Sequence, residues 1–256
     1  MFGRNKNFIF IIVITSVITG FVLGVAAQEY FLIRKMIRRA GIILYFSDIF
    51  NKYKKDAHET VMLNTRWLKK YRTNKIETRY VNEVIKLNLA NTALILIDVR
   101  EEPNNDMWKM HEKDKIGALV KLARQNNMII MHAPHGKKIW SGCLPNEGEL
   151  IVERSRSIQS MAQFDRELKK RHIKTLLYAG YASNMCVLFR PIGIVSMNRL
   201  GYKTILIRDC TLAVESPETI SGEWANKASI NMVELQFGNS TTLEDLRNAL
   251  EGKTTQ

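Results

Sequence analysis

The chain has 256 residues, 46% hydrophobic and 25% charged, with 38 Lys/Arg against 25 Asp/Glu for a net charge of +13. That balance excludes a disordered or collagen-like chain and suits one ordinary domain with an appendage. Three widely spaced cysteines, Cys143, Cys186 and Cys210, include no C-x-x-C pair; this argues against a disulfide framework or a zinc ribbon and fits a reducing compartment.

Residues 1–30 form the first predicted unit. Within it Phe8–Ala27 is a run of 20 residues without a charge. As a helix such a run rises about 30 Å, enough to cross a bilayer core. A secretory signal has a shorter apolar region of about 7–15 residues before its cleavage site. The length favours a retained transmembrane anchor. Cleavage at Val25–Gln28, giving an exported protein, is the alternative. Arg4 and Lys6 precede the run, whereas Arg34, Lys35, Arg38 and Arg39 follow it. The heavier basic flank places the main domain on the cytoplasmic side.

Residues 31–85 read as a basic juxtamembrane or linker segment. From Phe31 to Tyr80 there are 13 Lys/Arg against 4 Asp/Glu, so +9 of the +13 sits there. Such local charge suits an anionic membrane surface. Phe31–Lys55 reads either as an interfacial helix or as a solvated linker. No recognised nucleic-acid module accompanies the charge, so no nucleic-acid partner is expected.

From residue 86 to 256 strand and helix patterns alternate. Thr92–Val99 is a continuous apolar run ending in a carboxylate, as suits a strand buried on both faces. Asp114–Asn127 is a helix, Met128–Pro134 a strand, Ala162–Ile173 a helix and Lys174–Gly180 a strand. A helix after Cys186 is expected to kink or break at Pro191 and to end near Leu200, with Gly201 as its cap. Lys203–Asp209 is a further strand. Ser216-Pro217-Glu218 reads as a helix start. Thr242–Leu250 opens with a capping pattern and closes the chain as a helix. This order predicts an α/β fold, a doubly wound, mostly parallel sheet with helices on both faces, preceded by the N-terminal transmembrane helix.

In such sheets active groups gather at the carboxyl ends of strands. Asp98, His132 with His135, and Cys186 lie there. No G-x-G-x-x-G or G-x-x-x-x-G-K-[ST] motif follows a strand, so nucleotide binding is not indicated and no cofactor is expected. A cysteine at a helix start meets unpaired N–H groups and a partial positive field, which favour thiolate and can hold an oxyanion. The alternative is a small buried hydrophobe. Trp108 and Trp140 fall in predicted loops, where they either wall a pocket or pack. Asn184 is placed to hydrogen-bond within the turn.

"GYASNMCV" (180–187) resembles the nucleophile turn of the isochorismatase-like cysteine hydrolases, and "ALILIDVR" (93–100) resembles the strand that carries their catalytic base. "GYKTILIRD" (201–209) is similar to the next strand. "NMCVLFRPIGI" (184–194), with "HAP" (132–134), is similar to a bacterial subgroup of largely unassigned hydrolases. The resemblance spans about Lys86 to Leu250. It implies a Cys-Asp-Lys triad, with Cys186 as nucleophile and Asp98 as base, a cis peptide at Tyr181–Ala182, and the N–H groups of Ala182 and Cys186 as oxyanion donors.

Where the family has its lysine, this chain has Glu153 followed by Arg154. Arg154 is the candidate for the missing positive charge, acting electrostatically because a guanidinium does not release its proton. If both are surface residues, the triad is incomplete. Nicotinamidases in the family bind a metal near His132 and His135, but Ile130 stands where an aspartate is needed, so no metal site is expected. Those histidines read as pocket lining or hydrogen-bonded loop residues.

The predicted function is therefore a membrane-tethered cysteine hydrolase of a small amide or related C–N bond, with a small-molecule substrate and association into a homo-oligomer left open. The alternative is an impaired binding or regulatory domain on the same fold. Replacing Asp98 with Asn is expected to slow labelling of Cys186.

Overall fold

The computed structural model describes residues 60–72, 75–101, 106–134, 136, 138–152 and 158–252. The apolar run 8–27, the basic segment 31–55, His135, Glu153 and Arg154 lie outside them. Among the described residues no helix is long and apolar enough to cross a membrane.

The strands are β1 (Thr60–Arg72), β2 (Ile76–Asn88), β3 (Thr92–Ile97), β4 (Ile129–Ala133), β5 (Leu150–Ile151), β6 (Thr175–Tyr181), β7 (Lys203–Leu212) and β8 (Asn239–Thr241). The helices are α1 (Asp106–His111), α2 (Gly117–Gln125), α3 (Ile158–Lys170), α4 (Ile194–Arg199), α5 (Trp224–Gln236) and α6 (Leu243–Leu250). One eight-stranded sheet runs β2-β1-β8-β7-β6-β3-β4-β5. Its body, from β8 to β5, is parallel. β1 and β2 add an antiparallel hairpin at one edge.

The apolar runs form strands because both faces are covered. Every residue of β3 and of β6 is buried. Leu94, Leu96, Leu177 and Ala179 pack into a core on one side, with residues of α2 and α6. Ile95, Ile97, Leu176 and Tyr178 pack into a second core on the other, with residues of α3 and α4. Each large side chain so buried stabilises the fold by about 1.5–3 kcal/mol relative to exposure.

β3 connects to β4 on one side, and the chain returns through β5 and α3 to place β6 on the other side of β3. The connections therefore reverse direction between β3 and β6. In open α/β sheets such a reversal marks the carboxyl end where ligands bind, and Asp98 and the Cys186 turn lie at that end of these two strands.

Two local expectations change. Residues 60–72 and 76–88, which include most of the C-terminal half of the stretch read as linker, pair over 13 positions as the hairpin. β1 meets β8 at Arg66↔Ser240, and β2 is exposed along most of its length, so few of its residues show an apolar pattern. Ser216 does not start a helix. It closes a turn with Thr219, and α5 begins eight residues later at Trp224. The Glu215 carboxylate accepts the N–H groups of Ala225 (3.0 Å) and Asn226 (2.9 Å) and satisfies that helix start. The helix after Cys186 does break around Pro191, and α4 restarts at Ile194. Thr242 caps α6 through the N–H of Asp245 (3.0 Å).

Candidate active site

β3 ends at Ile97, and Asp98 follows with φ of +51°. Aspartate tolerates this left-handed conformation better than most residues. Its backbone N–H still donates to Ala133 O at the end of β4 (3.2 Å). β6 ends at Tyr181, and the Tyr181–Ala182 peptide is cis. Residues Ser183–Val187 then form a wide helical turn. The Ala182 carbonyl accepts the N–H groups of Met185 (3.0 Å) and Val187 (3.1 Å). The turn sets the half-buried Cys186 beside Asp98, close enough for thiol and carboxyl to shift each other's proton affinity.

Gly180 makes this approach possible. It has φ of +109°, and a Cβ there would lie 2.0 Å from Ile97 O. Only glycine lets the end of β6 run this close to the end of β3.

The Asp98 carboxylate is 3% exposed as a residue, and it meets a second buried charge. Nη2 of Arg190 donates to both Oδ1 and Oδ2 at 2.6 Å, and Nη1 donates to Ala133 O at 3.0 Å. The guanidinium also lowers the proton affinity of the Cys186 thiol. The sequence reading looked for a cation at Arg154 and missed Arg190. The available signal was its spacing: four residues after the cysteine puts it on the same helical face, one turn on.

Burial pushes the Asp98 carboxyl up, against the Cys186 hydrogen bond and the Arg190 charge, which lower it. Burial also pushes the Cys186 thiol up, aided by the Asp98 carboxylate and opposed by Arg190. Cys186 therefore rests as a neutral thiol. The helix-start argument, which favours thiolate, is outweighed by desolvation and the adjacent carboxylate.

Asn184 ties the turn to the loop after β7, with Nδ2 donating to Val214 O (2.8 Å) and Oδ1 accepting from Val214 N (3.1 Å). Trp108 lies on α1 rather than in a loop. It stacks on Tyr181 with ring centroids 4.6 Å apart. His111, which the sequence reading did not single out, takes the Tyr181 hydroxyl at Nδ1 (2.7 Å) and reaches Asp209 O through Nε2 (3.2 Å). A carbonyl only accepts, so Nε2 carries the proton and Nδ1 accepts from the tyrosine. The cis turn is thus held from α1. Trp140 donates its backbone N–H to Val99 O (3.4 Å), and its side chain packs partly buried against the core.

His132 is buried within β4, with Nε2 donating to the Glu149 carboxylate (2.8 Å). Arg124 holds the same carboxylate through two nitrogens at 2.8 and 3.0 Å. Among the described residues no three His, Cys, Asp or Glu side chains gather as a metal-ligand set.

A family model described as the isochorismatase domain matches residues 45–245, a span that begins upstream of the β1–β2 hairpin. Over 148 residues the sequence is 33% identical to ureidoacrylate amidohydrolase RutB from Azorhizobium caulinodans, covering 57% of this chain and 60% of that protein's length. The fold is shared with a cysteine hydrolase from Pseudomonas syringae pv. phaseolicola, at a TM-score of 0.51 and 17% identity over 66% of this chain and 96% of that one. An isochorismatase family protein from Burkholderia thailandensis gives a TM-score of 0.50 at 14% identity over 63% and 96%.

Proposed function

The chain belongs to the isochorismatase family, and from that membership we propose that it is a cysteine hydrolase opening a small amide or related C–N bond, with Cys186 as nucleophile and Asp98 as base. The observation that carries this reading is that Cys186, on the turn after β6, lies beside the Asp98 carboxyl that Arg190 holds at the end of β3. A nucleophile and a base within hydrogen-bond reach, the base itself held by a third group, is the arrangement covalent catalysis needs. The relative named as an amidohydrolase supports the choice of a C–N bond.

The steps follow from the two groups. Asp98 takes the thiol proton as sulfur attacks the carbonyl carbon and a C–S bond forms. The negative charge moves to the carbonyl oxygen, where the N–H groups of Ala182 and Cys186 receive it. The C–N bond breaks, and the leaving nitrogen takes the proton from Asp98. Water then attacks the thioester, gives a proton to Asp98 and releases the acid as the C–S bond breaks. The thiolate recovers its proton from Asp98. Turnover of small amides and ureido compounds by wild type, a mass increase on Cys186 after quenching, and loss of both in Cys186→Ala are the expected results. Activity that survives in Cys186→Ala sinks the reading.

We further propose that residues 8–27 anchor the enzyme in a membrane with residues 86–256 on the cytoplasmic side. The uncharged run of 20 residues and the heavier basic flank after it support this. The chain should stay with membranes through alkaline carbonate extraction, and Met1 or Phe2 should be its mature N-terminus. Release by carbonate, or a mature chain starting near Gln28, counts against an anchor.

A further inference from the structure

We propose that Arg190 is the permanent cation of this active site, taking from another position in the chain the part that a lysine has in the isochorismatase-like triad. The inference rests on the cysteine-hydrolase reading and adds a residue to it.

Three features carry it. First, Arg190 is 5% exposed, yet its guanidinium bridges the base and the end of β4 through Asp98 and Ala133 O, and its charge acts on the Cys186 thiol. A buried cation this well matched to a buried carboxylate does not arise from surface charge.

Second, the local chain is arranged to hold it. Its N–H donates to Cys186 O (3.3 Å), one turn back, so nucleophile and cation share one short helical segment. Pro191 then ends that segment. Tyr178 OH donates to Ile192 O (2.9 Å) and pins the chain just past the arginine. Gly193 returns its N–H to Arg190 O (2.8 Å), and a Cβ there would lie 2.8 Å from the carbonyls of Val187 and Leu188. The run "CVLFRPIG" is accounted for as a device that places one guanidinium.

Third, Ala133 O accepts both the Asp98 N–H and Arg190 Nη1. The carbonyl in the middle of "HAP" thereby fixes base and cation relative to each other.

A chemical consequence separates this site from one with lysine. A guanidinium holds its protons at any working pH. Every proton in the cycle therefore passes through Asp98: from Cys186 Sγ to the leaving nitrogen, then from water back to Sγ. Arg190 holds the charge of Asp98 and of the thiolate that forms, and moves no proton.

The test needs no substrate. Full-length wild type, Arg190→Met, Arg190→Gln, Arg190→Lys and Arg154→Met are alkylated with iodoacetamide across pH 6–10, and each cysteine is followed by peptide mass spectrometry. In Arg190→Met and Arg190→Gln, Cys186 should label roughly tenfold more slowly at pH 7 and its labelling curve should move to higher pH. Arg190→Lys should recover part of the rate, and Arg154→Met should match wild type. Buried Cys143 and Cys210 report folding, since they label only if a variant opens. If Arg190→Met opens, Arg190→Gln, which keeps a hydrogen-bond donor, decides. A wild-type rate and curve in Arg190→Gln, or the loss appearing in Arg154→Met, overturns the proposal. If the arginine variants shift labelling while no amide is turned over, the cation assignment stands and the hydrolase reading fails.

Discussion

Asn184 and Val214 exchange two hydrogen bonds, Nδ2 to carbonyl at 2.8 Å and amide N–H to Oδ1 at 3.1 Å, across the gap between the nucleophile turn and the loop after β7. The side chain imitates a strand partner and ties the turn to that loop. Asn184→Ala should cost about 1 kcal/mol of stability, the net value of a partly exposed hydrogen-bonded side chain. Its larger effect should fall on chemistry, because the turn aims Cys186. Denaturant unfolding and turnover measured side by side check this. A loss of turnover no larger than the change in stability accounts for would mean the clasp is structural alone.

Burial raises the Cys186 pKa, the Asp98 carboxylate raises it further, and Arg190 lowers it. Removing the carboxylate leaves the thiol facing an uncompensated guanidinium. Asp98→Asn should therefore speed alkylation of Cys186 near neutral pH, the reverse of the sequence-based expectation of slower labelling. Turnover should fall by about 10²–10⁴, the usual contribution of a general base. Fast labelling with lost turnover identifies Asp98 as a proton carrier. Slow labelling would return it to the role of a thiolate stabiliser. The variant should also be less stable, since a buried cation loses its partner.

Gly180 offers a sharper structural test. Its φ of +109° and the 2.0 Å approach of a built Cβ to Ile97 O leave no room for any side chain. Thr211 Oγ1 donates to the Gly180 carbonyl at 2.6 Å, so the backbone cannot rotate away without breaking that bond as well. Gly180→Ala should destabilise the protein by more than about 2 kcal/mol. A thermal midpoint within two degrees of wild type would show that β6 can move off β3.

What the sequence disclosed follows from burial. β3, β4, β6 and β7 were legible because strands covered on both faces are written as unbroken apolar runs. Asp98 was legible because it interrupts such a run at its carboxyl end, and Cys186 because it lies in the helical turn that follows the next such run. The hairpin was not, since its buried positions are few: Leu63, Thr65 and Leu68 on β1 and Leu87 on β2. Arg190 was hidden for another reason. An arginine in a helical segment usually points to solvent, and only the partner brought in from β3 turns this one inward. His132 shows the converse. Its position near a strand end suggested pocket lining or a hydrogen-bonded loop residue, and a glutamate 17 residues later hydrogen-bonds it inside the fold.

That glutamate gives the pH dependence. Burial pushes the Glu149 carboxyl up, but the two Arg124 nitrogens, the His132 N–H and the Asn146 N–H outweigh it and hold its pKa down at about 2, against an ordinary 4.5. The folded state thus binds this proton less readily than the unfolded chain. The stability it contributes is full above about pH 4.5 and is lost as pH falls toward about 2. His132 adds no opposing charge near neutrality, because burial lowers its pKa and leaves it the neutral donor. Glu149→Gln keeps the size of the side chain and removes the charge. It should be less stable than wild type at pH 7, and the difference should shrink steadily between pH 4.5 and pH 2. Urea unfolding at pH 7, 4.5 and 3 checks this. A stability difference that stays constant over that range would mean the Arg124–Glu149–His132 group acts by packing and not by charge.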